Sequence, residues 1–451
     1  MNGLWPSLAR VAAVLLASAA AGYALAPALV PVSAPRSERA AWGFALGLTL
    51  LALPLPPAFL LGLSPVLAIA FLVALSLAAV WFFSRRDARV ASTLSPLARE
   101  GVRAVIQPLH LFLAALIFFG IVVYALYALA EPLWSNDYVA IWGLKGKTIF
   151  LSAGIPPRLF TDPSLGFSHP EYPLGLPLVY AAVSFLLGRW DDHALALLFP
   201  FFQIATLLAL MGWLRRRGAS ATLALGAGAL LAQFAPLYSA FRTGLADIPF
   251  SFAALLFGSA LADVLDETDP LAARRLAFAA SLAVSTKNEG LLLIAAGAVL
   301  ALFALGSARA AARSAFAAIV VPAVLLTGIG RLWKGSLPVR DFDFSLLTRP
   351  RELFPRAGEA IRTAFSETVR PAWPGLLCLG ALIGAGHSRP AGNRLLALAL
   401  ISAAVYLLLP SFAVAGPEWL VRTSFARTSS ALAPLMTGAI AIRLAELRPD
   451  S

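Results

Sequence analysis

The stretch Glu131-Pro-Leu-Trp-Ser-Asn-Asp137-Tyr-Val-Ala-Ile-Trp142-Gly-Leu-Lys145-Gly-Lys147 is polar in a chain that is otherwise mostly apolar. It runs on through His169-Pro-Glu171-Tyr172-Pro173-Leu-Gly-Leu-Pro177 and ends at Trp190-Asp191-Asp192-His193. Chemistry concentrates on loops fixed by a rigid scaffold, so the hydrophobic runs on either side read as that scaffold. Of 451 residues, 60% are hydrophobic and only 13% charged, with a mean hydropathy of +0.82. Several runs reach the ~20 residues that cross a bilayer. These features predict an all-α polytopic membrane protein. The net charge of +12 falls in short arginine clusters between apolar runs, which is the pattern of basic cytoplasmic loops and not of a nucleic-acid surface. A single cysteine, Cys378, excludes an intrachain disulfide. His110, His169, His193 and His387 are too scattered to pair at helical spacing, so no Cys/His metal framework is expected.

Three apolar runs precede the polar stretch, at about 11–31, 42–61 and 65–83, the middle one interrupted by Pro54, Pro56 and Pro57. A basic linker with Arg85, Arg86, Arg89, Arg99 and Arg103 is then expected in the cytoplasm, and 108–130 crosses outward. If the run 173–188 crossed as well, Arg215-Arg216-Arg217 would lie outside, against the positive-inside rule. The run is also short, roughly 24 Å as a helix against a core of about 30 Å. It therefore reads as a juxtamembrane or re-entrant helix, and 131–193 becomes one outer loop. Further on, 276–305 is too long for one span and is cut by Thr286-Lys287-Asn288-Glu289-Gly290, giving two short helices and an outer turn. A second large outer segment is expected at 333–371, with an amphipathic helix from about 350 and three spans after it, at about 372–386, 394–412 and 429–444. The expected organisation is residues 1–103 as N-terminal spans with the basic linker, then 104–451 as the main module, with roughly thirteen crossings in all.

Within the polar stretch, Tyr138, Trp142, Lys145 and Ile149 fall on one helical face, as for a helix lying in the headgroup plane. Lys145 and Lys147 would then sit at phosphate level beside Asp137. Interfacial anchoring accounts equally well for Trp142, but does not call for the acid. Gly146-Lys147-Thr148 is not a P-loop, because Ile141 takes the first glycine position. Pro173 and Glu171 suit the start of the following helix, which leaves His169, Glu171 and Tyr172 open between capping and substrate contact. Asp247, in Arg242-Thr-Gly-Leu-Ala-Asp247-Ile-Pro249, has ordinary N-cap chemistry, yet shares a side with Asp137. Lys287 and Glu289 are the only charges in their apolar stretch, and intramembrane charges are a functional hypothesis by default, against a simple mutual pair. Arg422 and Arg427 are positive on the outer side, which favours an anionic partner.

Taken in order, these motifs resemble the GT-C superfamily of integral-membrane glycosyltransferases, particularly the bacterial branch of protein O-mannosyltransferases and aminoarabinose transferases. The resemblance is carried by Asp137 in the first outer loop, His169-Pro-Glu-Tyr-Pro before a juxtamembrane helix, and Leu245-Ala-Asp247-Ile-Pro. It continues in Thr286-Lys287-Asn-Glu289-Gly between short helices, and in Arg427-Thr-Ser-Ser-Ala-Leu-Ala-Pro434. It covers the chain from about Pro108 onward, and departs from many members in having Ser-Asn-Asp-Tyr where they carry two nearby acids. The resemblance implies a bundle of about 11–13 helices in the inner or plasma membrane, with the active site facing outward. It implies inverting sugar transfer from a polyprenyl-phosphate donor to a lipid, glycan or protein acceptor. Asp137 would be the general base, with Asp247 orienting the acceptor or assisting a metal. Lys145, Lys147, Lys287, Arg422 and Arg427 would hold the phosphate, and Trp142, His169, Glu171, Tyr172, Arg242 and Glu289 would position substrate. The resemblance fixes no cofactor, and a divalent metal stays open. The alternative is a transporter or flippase of a lipid-linked anion, which would use the same cations without chemistry.

Overall fold

The computed structural model describes residues 4–91, 107–267, 269–306, 309–333, 341–368 and 390–446. Among these the regular elements are all helices, and the only β pairing is an isolated bridge between Phe342 and Ala413. Seven helices are long and apolar enough to cross a membrane, or up to eight if the bent pair Pro417–Ser430 and Ala433–Ala445 counts as one. This is the architecture of a polytopic helical membrane protein. It has fewer full-length spans than the roughly thirteen crossings expected. Much of the shortfall is one of length: the helices Gly175–Leu187, Ala221–Ala232 and Glu289–Phe303 are apolar but only 12–15 residues long. The span expected at 372–386 and most of the basic linker lie outside the described residues.

The bundle is built around Asp247–Leu265. This helix is apolar all round between its terminal acids, and every one of its residues is buried. That is how an all-apolar helix behaves when other helices cover each of its faces. The N-terminal helices belong to the same core. Leu4–Leu25 and Arg36–Ala52 approach so closely that a Cβ on Gly22 would stand 2.0 Å from the Gly43 carbonyl oxygen, and one on Gly47 2.3 Å from that of Ser18. Small residues permit such backbone contact where helices pack by van der Waals fit.

Charged residues fall at the two ends of the central helix, Asp247 and Asp263, about 24 Å apart along its axis. At the Asp263 end, Arg216 bridges Glu38 and Asp263 at 2.7 and 2.5 Å. Arg217 reaches Asp263 and Asp266 at 3.1 and 2.7 Å, and Arg275 reaches Asp263 and Asp269 at 2.9 and 2.5 Å. Arg216, Arg217 and Arg275 thus share one end of the bundle. They are not simple loop cations facing headgroups, because buried acids neutralise them.

The opposite end holds the polar stretch. Gly175–Leu187 spans 13 residues and leaves and returns at this end. Gly175 lies against the Ser285 carbonyl, where a Cβ would be 2.2 Å away. After the helix, Asp192 accepts a hydrogen bond from Tyr138 at 2.5 Å, and His193 Nε2 meets the Leu129 carbonyl at 2.6 Å. The helix therefore does not traverse the bundle. The break at Lys287 also forms as read: Ala272–Thr286 and Glu289–Phe303 are separate helices joined through Lys287 in an extended conformation.

Candidate functional site

Four segments bring charge together at the Asp137 end. Asp137 precedes a single π-helical turn, Tyr138–Trp142, and its carboxylate pairs with Arg427. Arg427 also approaches Asp247 Oδ2 with its Nε at 3.6 Å. Lys287 Nζ lies 2.9 Å from Asp247 Oδ1 and 2.6 Å from Glu289 Oε1. Depth divides the group in two. Asp247 and Lys287 have side-chain exposures of 1% and 4%, whereas Asp137 and Arg427 keep 29% and 23%. The result is a buried ionic floor with one accessible acid–base pair above it.

Arg242 completes the group from the loop before the central helix. It is near enough to Asp247 and Arg427 to interact electrostatically with both, and its Nη1 is buried without a hydrogen-bond partner among the described residues. Burial lowers its pKa from the ordinary arginine value; Asp247 opposes the shift and Arg427 adds to it. Of the cations here, Arg242 is the least compensated. Sequence reasoning missed Tyr406, whose buried hydroxyl also has no partner among the described residues and which interacts electrostatically with Glu289 and Asp247. A tyrosine inside an apolar span (Ala391–Phe412) was its only sequence signal.

Several expectations are corrected by this geometry. Asp247 is not an N-cap: it is the first helical residue, and its carboxylate turns to Lys287. Lys287 and Glu289 form the mutual pair weighed for them, with Asp247 as a second partner of Lys287, and Arg427 pairs with Asp137. The face of Tyr138, Trp142, Lys145 and Ile149 exists but turns inward, with exposures of 3%, 1%, 0% and 0%. An amphipathic pattern is the same whether the apolar face meets lipid or protein, and here the helices Gly143–Ser152 and Gly175–Leu187 pack together. Lys145 is therefore enclosed by protein and does not lie on a lipid-facing surface. Its Nζ donates to the His169 carbonyl at 2.5 Å and lies 5.8 Å from the centre of the Tyr172 ring. Lys147 is exposed on the other face. Arg422 pairs with Glu418 at 2.8 Å on the surface, apart from the Arg427 cluster.

The His169–Pro173 loop forms a second constellation beside the first. Tyr172 stacks on Trp142 at 5.5 Å and on His169 at 4.7 Å. Burial, with Glu289 and Glu171 nearby, raises the Tyr172 phenol well above its usual value. His169 Nδ1 meets Glu171 at 3.0 Å and Asp341 at 3.1 Å, and hydrogen bonds to Asp341 and Glu171 raise its pKa to about 9. The partners of His169 are carboxylates, which the spacing of histidines and cysteines does not reveal. Asp341 was also missed; its signal was the alternation Asp341-Phe-Asp343-Phe.

An apolar groove lies alongside. It runs between Ala221–Ala232, Pro390–Leu408 and the terminal helices, lined by Leu230, Phe234, Leu400, Met436 and Ile440. Ser429 and Ser430 also line it, two and three residues beyond Arg427. No family model, no curated protein and no solved structure matches this chain.

Proposed function

We propose that the protein is a membrane-embedded glycosyltransferase that moves a sugar from a polyprenyl-phosphate-linked donor to an acceptor hydroxyl at the Asp137 end. The observation that carries this reading is the partly exposed Asp137–Arg427 pair above the buried Asp247–Lys287 pair, which Glu289 flanks. An apolar groove of this kind suits an isoprenoid tail, and Arg242 is a cation with donor capacity to spare. In this mechanism the donor phosphate takes hydrogen bonds from Arg242 and Arg427 and displaces Asp137 from the latter. The released carboxylate then accepts the proton of the acceptor hydroxyl. The hydroxyl oxygen attacks the anomeric carbon as the bond from that carbon to the phosphate oxygen breaks. The leaving polyprenyl phosphate keeps the electron pair, stabilised by the two guanidiniums. Lys287 stays in the floor and fixes Asp247, which in turn orients Arg427.

The test is transfer from a labelled polyprenyl-phosphate sugar in liposomes. Asp137→Asn should retain donor binding and lose transfer. A lipid-linked-anion transporter is the second reading, favoured by ionic clusters at both ends of one buried helix. Translocation of the intact lipid by the wild type, without cleavage of its phosphate–sugar bond, would select it.

A further inference from the structure

Beside the Asp137 cluster, three ligand-type atoms from two distant segments converge. His169 Nδ1, Glu171 Oε1 and Asp341 Oδ2 all lie within 4.8 Å of one another. We propose that these residues bind a divalent transition-metal ion of the zinc or manganese class, which ties the His169–Pro173 loop to the segment beginning at Asp341. The inference does not depend on the glycosyl-transfer reading.

Nδ1 is 3.0 Å from one carboxylate oxygen and 3.1 Å from the other. A ring nitrogen carries at most one proton, so it cannot donate well to two acceptors at once. A divalent cation satisfies all three groups together. With metal–ligand bonds near 2.1 Å, neighbouring donor atoms stand about 3.0 Å apart around an octahedral ion and about 3.4 Å apart around a tetrahedral one. The two separations from Nδ1, 3.0 and 3.1 Å, match that scale, and the carboxylate oxygens lie within 4.8 Å of each other. One imidazole with two carboxylates suits zinc or manganese better than calcium, which takes oxygen ligands alone.

The ligands are also held in place. The His169 carbonyl accepts from Lys145, and its ring lies on Tyr172. The Asp341 carbonyl accepts from the Val414 amide at 2.9 Å, and the Asp343 amide donates to the Phe412 carbonyl at 2.7 Å, so the backbone from Asp341 to Asp343 is anchored to the segment 412–414. Such supporting contacts orient metal ligands and strengthen binding. They also give buried Lys145 a purpose that phosphate binding does not.

The experiment uses the full chain purified in detergent, stripped with EDTA, and titrated with ZnCl2 or MnCl2 by calorimetry. Metal content is then measured after gel filtration. Asp341→Asn and Glu171→Gln keep an acceptor for His169 but lose the charged ligand. The expected result is one ion per wild-type chain, with affinity reduced at least tenfold in each variant. Equal metal content in the wild type and the Asp341→Asn/Glu171→Gln double variant would overturn the site, as would a wild type that binds neither ion. If the double variant fails to fold, thermal unfolding of the wild type decides. A rise in Tm with either ion supports the site, and no rise with both overturns it.

Discussion

Removing the Lys287 ammonium is the sharpest perturbation of the ionic floor. Its Nζ serves two carboxylates, Asp247 at 2.9 Å and Glu289 at 2.6 Å, with a side-chain exposure of only 4%. Asp137, Asp247 and Glu289 are balanced by Lys287, Arg427 and Arg242, so Lys287→Met leaves the group one negative charge in excess. Arg427 does not replace the lost contact, because it already pairs with Asp137 and holds its Nε 3.6 Å from Asp247. Breaking a buried pair from one side costs about 3–5 kcal/mol, chiefly through the uncompensated charge that stays behind. Asp247→Leu alone should cost a similar amount for the same reason. The double variant Lys287→Met/Asp247→Leu removes both charges and should recover more than half of the summed loss. Reversible unfolding by SDS titration in mixed micelles measures all three. A Lys287→Met variant within about 1 kcal/mol of wild type, or strict additivity in the cycle, would refute the ionic floor.

Asp137→Asn should bind polyprenyl phosphate normally and transfer sugar at least 10²-fold more slowly; in the labelled-donor assay, activity near wild type would remove Asp137 as the base. Arg242→Gln should weaken polyprenyl-phosphate binding more than tenfold, since a charge-assisted contact contributes about 1.5–3 kcal/mol. Fluorescence titration with a labelled lipid phosphate reads the binding. Gly290→Ala places a Cβ 2.2 Å from the Ala283 carbonyl oxygen, so the helices on either side of Lys287 must separate. The expected cost of about 1–3 kcal/mol is measurable in the same SDS titration. For sidedness, single cysteines at Arg215 and Ser164, in a Cys378→Ser background, should label from opposite faces of oriented vesicles.

What was legible in the chain was whatever breaks a local pattern. Thr286-Lys-Asn-Glu-Gly290 interrupts an apolar run and so announced two helices. The length of the run at 173–188, together with the arginines at 215–217, announced a helix that does not cross. What was not legible was pairing over long separations. Glu38 meets Arg216 across 178 positions, and Arg427 meets Asp137 across 290. No periodicity records such a partner. Lys145 shows a second limit, because its helical face has the same spacing whether it meets lipid or protein. Asp247 shows a third: an acid before Ile248-Pro249 fits an N-cap by residue type, and only the position of Lys287 shows where its carboxylate points.

The central helix carries carboxylates about 24 Å apart along its axis, while a typical hydrocarbon core is about 30 Å thick. Lipid does not meet that helix, because every one of its residues is buried. The surrounding Pro108–Ala130 faces outward along most of its 23 residues, about 34 Å as a helix, and so matches the core. The protein thus encloses a short ionic axis in a shell of ordinary span length, and its charged ends are screened from the acyl chains by protein and not by headgroups.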